Sequence, residues 1–295
     1  MSLTNRPSHL IVACLGATWL VWGSTYLAIR FALAGFAPFF LMGSRFIVAG
    51  VLLATWEALR GKPWPTLRQW RNAAIVGGLM LGGGMGGTAY AEQTVGSGLV
   101  VAFIAVVPIM IVIVNRLFGI RPQTSELAGV LTGLLGVIML TQGQGFSASP
   151  TGLAALVSAT LAWSVGSVLS LRVLPLAPGA MGFASEMLSG GVLLLAASLL
   201  VGEPVHAAST SAWIAWGYLV VFGSLIAFNA YMLLLSRASA AVASSYTFVN
   251  PVVALGLGIW LGGERVSGFE WLSVAVTLAG VVLLLWRRRT LATAS

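Results

Sequence analysis

Two charges stand inside long apolar runs of this chain, where an ionised side chain is costly to place. Arg45 interrupts the run 37–59 and Glu186 the run 179–201, and they lie 141 residues apart. In hydrocarbon such groups pair, or face a polar cavity, so each marks a candidate site. Counted at 1.5 Å per helical residue, each would lie roughly 12 Å deep from opposite faces of a membrane, roughly 6–8 Å apart in depth. So placed, they would hold the charged ends of a zwitterionic solute or act as gate residues. The plainer reading is a structural contact with backbone carbonyls. Glu57 and Glu92, at the ends of runs, read as solvated.

Polar and aromatic residues gather at matching places in the two halves. Trp19, Trp22, Ser24, Thr25, Tyr26, Thr88, Tyr90 and Phe103 belong to the first. Trp163, Ser164, Ser167, Ser170, Asn229, Tyr231, Ser244, Ser245, Tyr246 and Asn250 belong to the second. Trp163, Ser167 and Ser170 are spaced i, i+4, i+7 and so share one helix face. Hydroxyls alone often only bridge helices, and aromatics near helix ends belong to the interfacial belt. Trp163 is mid-run, which the belt does not explain. A cavity lined by Trp and Tyr with a few hydroxyls and one amide suits a small, partly apolar, neutral or zwitterionic solute.

The elements that must position these residues are membrane spans. Of 295 residues, 58% are apolar and 7% charged, too little charge for a soluble surface. Ten runs are long enough to cross about 30 Å of hydrocarbon: 9–29, 37–59, 72–90, 97–117, 124–142, 151–171, 179–201, 213–234, 242–262 and 268–286. The first is too long and too poor in preceding charge for a cleaved signal peptide. Twelve of the 15 basic residues fall on one side: Arg6, Arg60, Lys62, Arg68, Arg71, Arg116, Arg121, Arg172, Arg237 and Arg287 to Arg289. Arg30 and Arg265 fall on the other. The positive-inside rule therefore places both termini in the cytoplasm. Trp64 and Trp70 read as interfacial anchors.

The chain is also a duplication. Pro108 and Pro251 are 143 apart, Gly136 and Gly280 are 144 apart, and Ala49 to Leu53 answers Gly190 to Leu194 at 141. Trp22 and Trp163, and Ala89-Tyr90 and Ala230-Tyr231, keep the offset of 141. Five spans is an odd number, so the second copy crosses in the opposite sense. The expected fold is all-α, polytopic, with ten transmembrane helices built as two inverted five-helix repeats, 1–143 and 144–295. The turn Gly143 to Pro150 is their boundary. Such architecture belongs to secondary transporters, with the solute bound near the midplane. Pro108 and Pro251 free the carbonyls of Ile104 and Thr247, and so mark a packing kink or a hinge. The seven glycines of span three, Gly77, Gly78, Gly82, Gly83, Gly84, Gly86 and Gly87, lack the strand and the Gly-Lys-Ser/Thr ending of a phosphate loop and read as close helix packing.

Other classes fit poorly. The chain has no Asp, and His9 and His206 sit at opposite faces, so no set for hydrolysis or metal chemistry assembles. One cysteine, Cys14, forms no disulfide framework. No metal, cofactor or nucleic acid is expected, since the net charge of +8 is scattered and not patched. No segment is long enough for a nucleotide-driven domain. The expected partners are a small solute and the lipid bilayer, with a monomer as the functional unit.

Trp22-Gly23-Ser24 with Arg30, Arg45, Pro108, Trp163, Asn250-Pro251 and Gly262-Gly263-Glu264 carry a resemblance that spans nearly the whole chain. The pattern resembles the ten-helix EamA-type branch of the drug/metabolite transporter superfamily, and within it the YddG-type amino-acid exporters of the bacterial inner membrane. The resemblance implies export of neutral and aromatic amino acids such as Phe, Trp, Tyr, Met and Thr by alternating access. It puts the cavity on Trp22, Tyr90, Phe103, Trp163, Tyr246 and Asn250, to which the helix face adds Ser167. Arg45 and Glu186 would gate or relay charge, and Pro108 and Pro251 would bend. Glu264 would cap span nine. A multidrug exporter of lipophilic cations, proton-coupled through Glu186, is the alternative; it requires Glu186 unpaired and open to the cavity. If Arg45 keeps Glu186 ionised, passive facilitation is expected.

Overall fold

The computed structural model describes residues 9–95, 100, 103–142, 149–204, 207–262 and 267–286. Helices stand at each of the ten expected places: α1 (His9–Leu33), α2 (Pro38–Leu59), α3 (67–91), α4 (Val107–Leu117), α5 (Thr124–Thr141), α6 (Pro150–Arg172), α7 (Ala180–Leu200), α8 (Thr210–Arg237), α9 (Tyr246–Gly262) and α10 (Gly268–Trp286). Among the described residues, five of them, α1, α2, α6, α7 and α8, are long and apolar enough to cross a membrane by themselves. Residues 143–148 of the copy boundary, the Gly263-Glu264 end of span nine, Arg6, Arg265, His206 and Arg287 to Arg289 lie outside the described residues.

Local chemistry starts these helices in matching ways. Thr66 caps α3 through the Gln69 N–H at 3.3 Å, and Ser209, 143 residues on, caps α8 through the Ala212 N–H at 3.3 Å. Glu126 returns a bond to the Gln123 N–H at the head of α5, as Glu270 does to the Ser267 N–H at the head of α10. The outward faces stay apolar, with Leu131 and Leu135 on α5, Val192 and Leu193 on α7 and Val282 on α10 exposed. In a membrane protein that surface belongs to lipid.

Packing follows the duplication. α2 lies on α7, its counterpart, and α5 on α10, its counterpart. Glycine makes the close approach: a Cβ on Gly43, Gly50 or Gly191 would sit 2.9 Å from Leu195, Leu188 or Ile47. Between these outer pairs, α1 packs on α8 and α9 of the second copy, and α6 packs on α3 and α4 of the first. Each copy thus completes its core with helices of the other.

Among the described residues, three spans carry widened, π-type turns: Ala17–Val21 in α1, Gly78–Gly86 in α3 and Leu219–Phe228 in α8. The last two are repeat counterparts. Such turns leave carbonyls less regularly spaced and often lie at functional sites. The prolines behave differently from one another. Pro108 sits in the first turn of α4, just after a turn at 105–106, where its missing N–H costs nothing. Pro251 lies inside α9, and the break in that span is earlier, at 244–245.

Candidate functional site

The central cavity is built by α1, α2, α3, α4, α6 and α9. Its aromatic end is formed by Trp22, Trp163 and Tyr246 with Asn250, and the same lining carries the charged Arg45 and Glu92. Thr25, Thr88, Thr160, Met42 and Met85 also line the cavity. The hydroxyls of Thr25 and Thr88 donate to the carbonyls of Trp22 and Gly84, at 2.8 Å each. Glycine makes room for the rings: a Cβ on Gly84 would stand 3.1 Å from the Trp163 ring. The volume is about 90 Å³. An apolar cavity that admits benzene measures about 150 Å³, so this conformation suits a small solute and must widen for an aromatic one.

A four-ring wall closes the aromatic end. Tyr231, fully buried, has its ring 5.3 Å from Trp22, 5.2 Å from Trp163 and 5.6 Å from Tyr246. Its hydroxyl is 2.9 Å from the Ser167 hydroxyl, and the Trp22 indole N–H donates to the Gly223 carbonyl at 3.2 Å. Behind the wall lies a second cavity of about 840 Å³, toward the face that bears Arg172 and Arg237. Ala230 and Met232, the chain neighbours of Tyr231, line this second cavity, as do Ser170 and Asn229. The face of α6 read from the sequence therefore runs from one cavity to the other. Trp163 lines the first, Ser167 holds the wall and Ser170 lines the second.

The charged residues depart from expectation. Arg45 is 2% exposed, donates from Nη2 to the Met85 sulfur at 3.2 Å and lies 4.5 Å over the Phe46 ring. Its Nε and Nη1 have no hydrogen-bond partner among the described residues. The carboxylate that lines the cavity with it is Glu92. Glu92 is half-buried, not simply solvated, because the last turn of α3 turns it into the cavity beside Arg45. Glu57 is also buried. Glu186 is fully buried, its two oxygens lack partners among the described residues, and it does not line the cavity. Arg45 and Glu186 are thus not hydrogen-bonded to each other.

Of the other candidates, Trp22, Trp163, Tyr246 and Asn250 come together at the aromatic end. Tyr90 and Phe103 do not. Tyr90 is 38% exposed and stacks on Phe39 at 5.8 Å, and Phe103 packs against Ala91, Val95, Val100 and Leu156. Sequence reasoning read Glu92 as solvated and named Tyr231 without giving it the wall role. The signal for Tyr231 was its offset from Tyr90.

The family model of the EamA-like transporter family matches residues 9–142 and again residues 150–286. The uncharacterized inner membrane transporter YedA of Escherichia coli strain K12 is 43% identical over 275 residues, covering 92% of this chain and 90% of YedA. The protein PecM of Dickeya dadantii is 24% identical, covering 89% of this chain and 88% of its own length. A solved crystal structure superposes with a TM-score of 0.80 at 22% identity, over 95% of this chain and 99% of the other, which is a likeness of fold. The chain belongs to the EamA-like transporter family: it is a multi-pass membrane transporter with the two-repeat fold.

Proposed function

We propose that this EamA-family transporter exports neutral and aromatic amino acids (Phe, Trp, Tyr, Met and Thr) by alternating access. The observation that carries the reading is the central cavity, lined both by aromatic rings and by the charged pair Arg45 and Glu92, with a ring wall between it and a second cavity. Two cavities on opposite sides of one thin barrier are what rocking halves need to expose a site to each face in turn. The reading includes ten crossings with both termini in the cytoplasm, which makes the second cavity, on the arginine-bearing face, the cytoplasmic one. It also places the protein in a bacterial inner membrane, in keeping with the printed description of YedA, and takes the monomer as the working unit.

Passive facilitation fits this site better than proton antiport. The carboxylate that lines the cavity, Glu92, shares that lining with Arg45, and Glu186 is outside it. A lipophilic-cation exporter working through Glu186 would need that carboxylate in the cavity. Counterflow of radiolabelled phenylalanine, methionine and threonine in proteoliposomes tests the proposal, with Trp163→Ala as the comparison. Uptake that collapses in the variant supports substrate and site together. Flux of a lipophilic cation without amino-acid flux overturns the substrate class, and uphill flux driven by a pH gradient overturns facilitation.

A further inference from the structure

Arg45 and Glu92 face one small cavity with opposite charges and with unused hydrogen-bonding atoms. Nε and Nη1 of Arg45 and Oε1 of Glu92 lack partners among the described residues. Such groups are expensive to bury, because water is removed and nothing replaces it. The thioether of Met85 is a weak acceptor for the one nitrogen it engages. The site is therefore balanced in charge and unsatisfied in hydrogen bonding.

Balance selects against single-sign ions. A solute carrying only an ammonium would pair with Glu92 but leave Arg45 facing a like charge, and an acid would do the reverse. A zwitterion satisfies both and leaves the net charge at zero. We propose that Arg45 and Glu92 form the recognition subsite for the two charged ends of a zwitterionic α-amino acid. Arg45 takes the carboxylate, Glu92 takes the ammonium, and the side chain points toward Trp22, Trp163 and Tyr246. This rests on the amino-acid reading above and deepens it: the free main-chain ends become obligatory, and the side chain becomes permissive. Arg45 lies near the rings: Gly223, whose carbonyl accepts from the Trp22 indole, has its Cβ position 4.0 Å from Arg45 Nη1. One solute the length of an amino acid can therefore touch both the charged pair and the rings.

The test is competition against phenylalanine counterflow by phenylalanine, by phenethylamine, which lacks the carboxylate, and by 3-phenylpropionate, which lacks the ammonium. In wild type each truncated analogue is expected to compete at least about tenfold more weakly than phenylalanine, the loss of one charged contact. Arg45→Gln should erase the penalty for the missing carboxylate alone, and Glu92→Gln the penalty for the missing ammonium alone. Equal competition by all three in wild type overturns the subsite while leaving the amino-acid reading standing, and needs no variant to fold. Absence of phenylalanine counterflow, with a lipophilic cation transported instead, overturns the amino-acid reading itself. Arg45→Gln and Glu92→Gln that weaken all three competitors alike would assign the pair a structural role and also sink the subsite.

Discussion

Gly50 of α2 lies against Leu188 of α7, and the contact is returned by their repeat counterparts, Gly191 against Ile47. The same reciprocity joins α5 to α10, where Gly136 meets Thr277 and Gly280 meets Gly133. A patch that meets its own copy in this way is what a two-fold relation requires. Two such pairs flank the core and hold the inverted halves in one register.

Stability should therefore be concentrated in glycines that look interchangeable in the sequence. A Cβ at Gly136 would run into the Thr277 backbone, whereas one at Gly217 would meet nothing within 4 Å. Overpacking of this kind costs about 1–3 kcal/mol. Gly136→Ala is expected to lower the melting temperature in detergent clearly, and Gly217→Ala to leave it unchanged or raised. Equal shifts in both would mean that the α5–α10 contact is not close.

Cavity size should answer to Gly84. A methyl there would stand 3.1 Å from Cε3 and 3.2 Å from Cβ of Trp163, filling space at the aromatic end. Gly84→Ala should shift preference from phenylalanine toward smaller solutes such as threonine, read as a change in the ratio of their competition constants. A uniform loss for all solutes would point to misfolding and not to shape.

The ring wall should leak when the Tyr231–Ser167 tether is cut. Tyr231 is held by Ser167 at 2.9 Å, and a neutral hydrogen bond contributes about 1 kcal/mol net. Tyr231→Phe keeps the ring contacts and loses the tether. The expected result is faster exchange, about fivefold for that energy, with little change in which solutes compete. Unchanged exchange would make the ring packing alone the barrier.

How much of this was legible turns on symmetry. The offset of 141 between Trp22 and Trp163 announced the duplication, and those two rings do meet, 5.8 Å apart. The same offset links Arg45 with Glu186, yet these are not hydrogen-bonded, since counterparts share a place in the repeat and need not share a neighbour. Glu92 was misplaced because position along a run tells depth but not the direction a side chain turns. The π-type turns were invisible for a similar reason. Glycine-rich α3 and glycine-poor α8 have little composition in common, yet both widen at matching places. That geometry is set by packing, not by propensity.

The candidates that stayed apart are the counterparts of those that met. Tyr90 corresponds to Tyr231 at 141, and Phe103 to Tyr246 at 143, while Trp22 and Trp163 correspond to each other. In an inverted repeat, exchanging the conformations of the two copies generates the opposite-facing state. The wall of that state should then consist of Trp22, Trp163, Tyr90 and Phe103, closing the side that Tyr231 and Tyr246 leave. Tyr231 and Tyr246 are now 5.6 Å apart, so Tyr90 and Phe103 should come equally close there. With Cys14 replaced by alanine, a Tyr90→Cys/Phe103→Cys double variant should be bridged by a short bifunctional thiol reagent during turnover, and bridging should stop flux. Bridging that never occurs while solute still exchanges would show that the alternate barrier is built from other residues. A Tyr231→Cys/Tyr246→Cys pair gives the positive control, since it should react at rest.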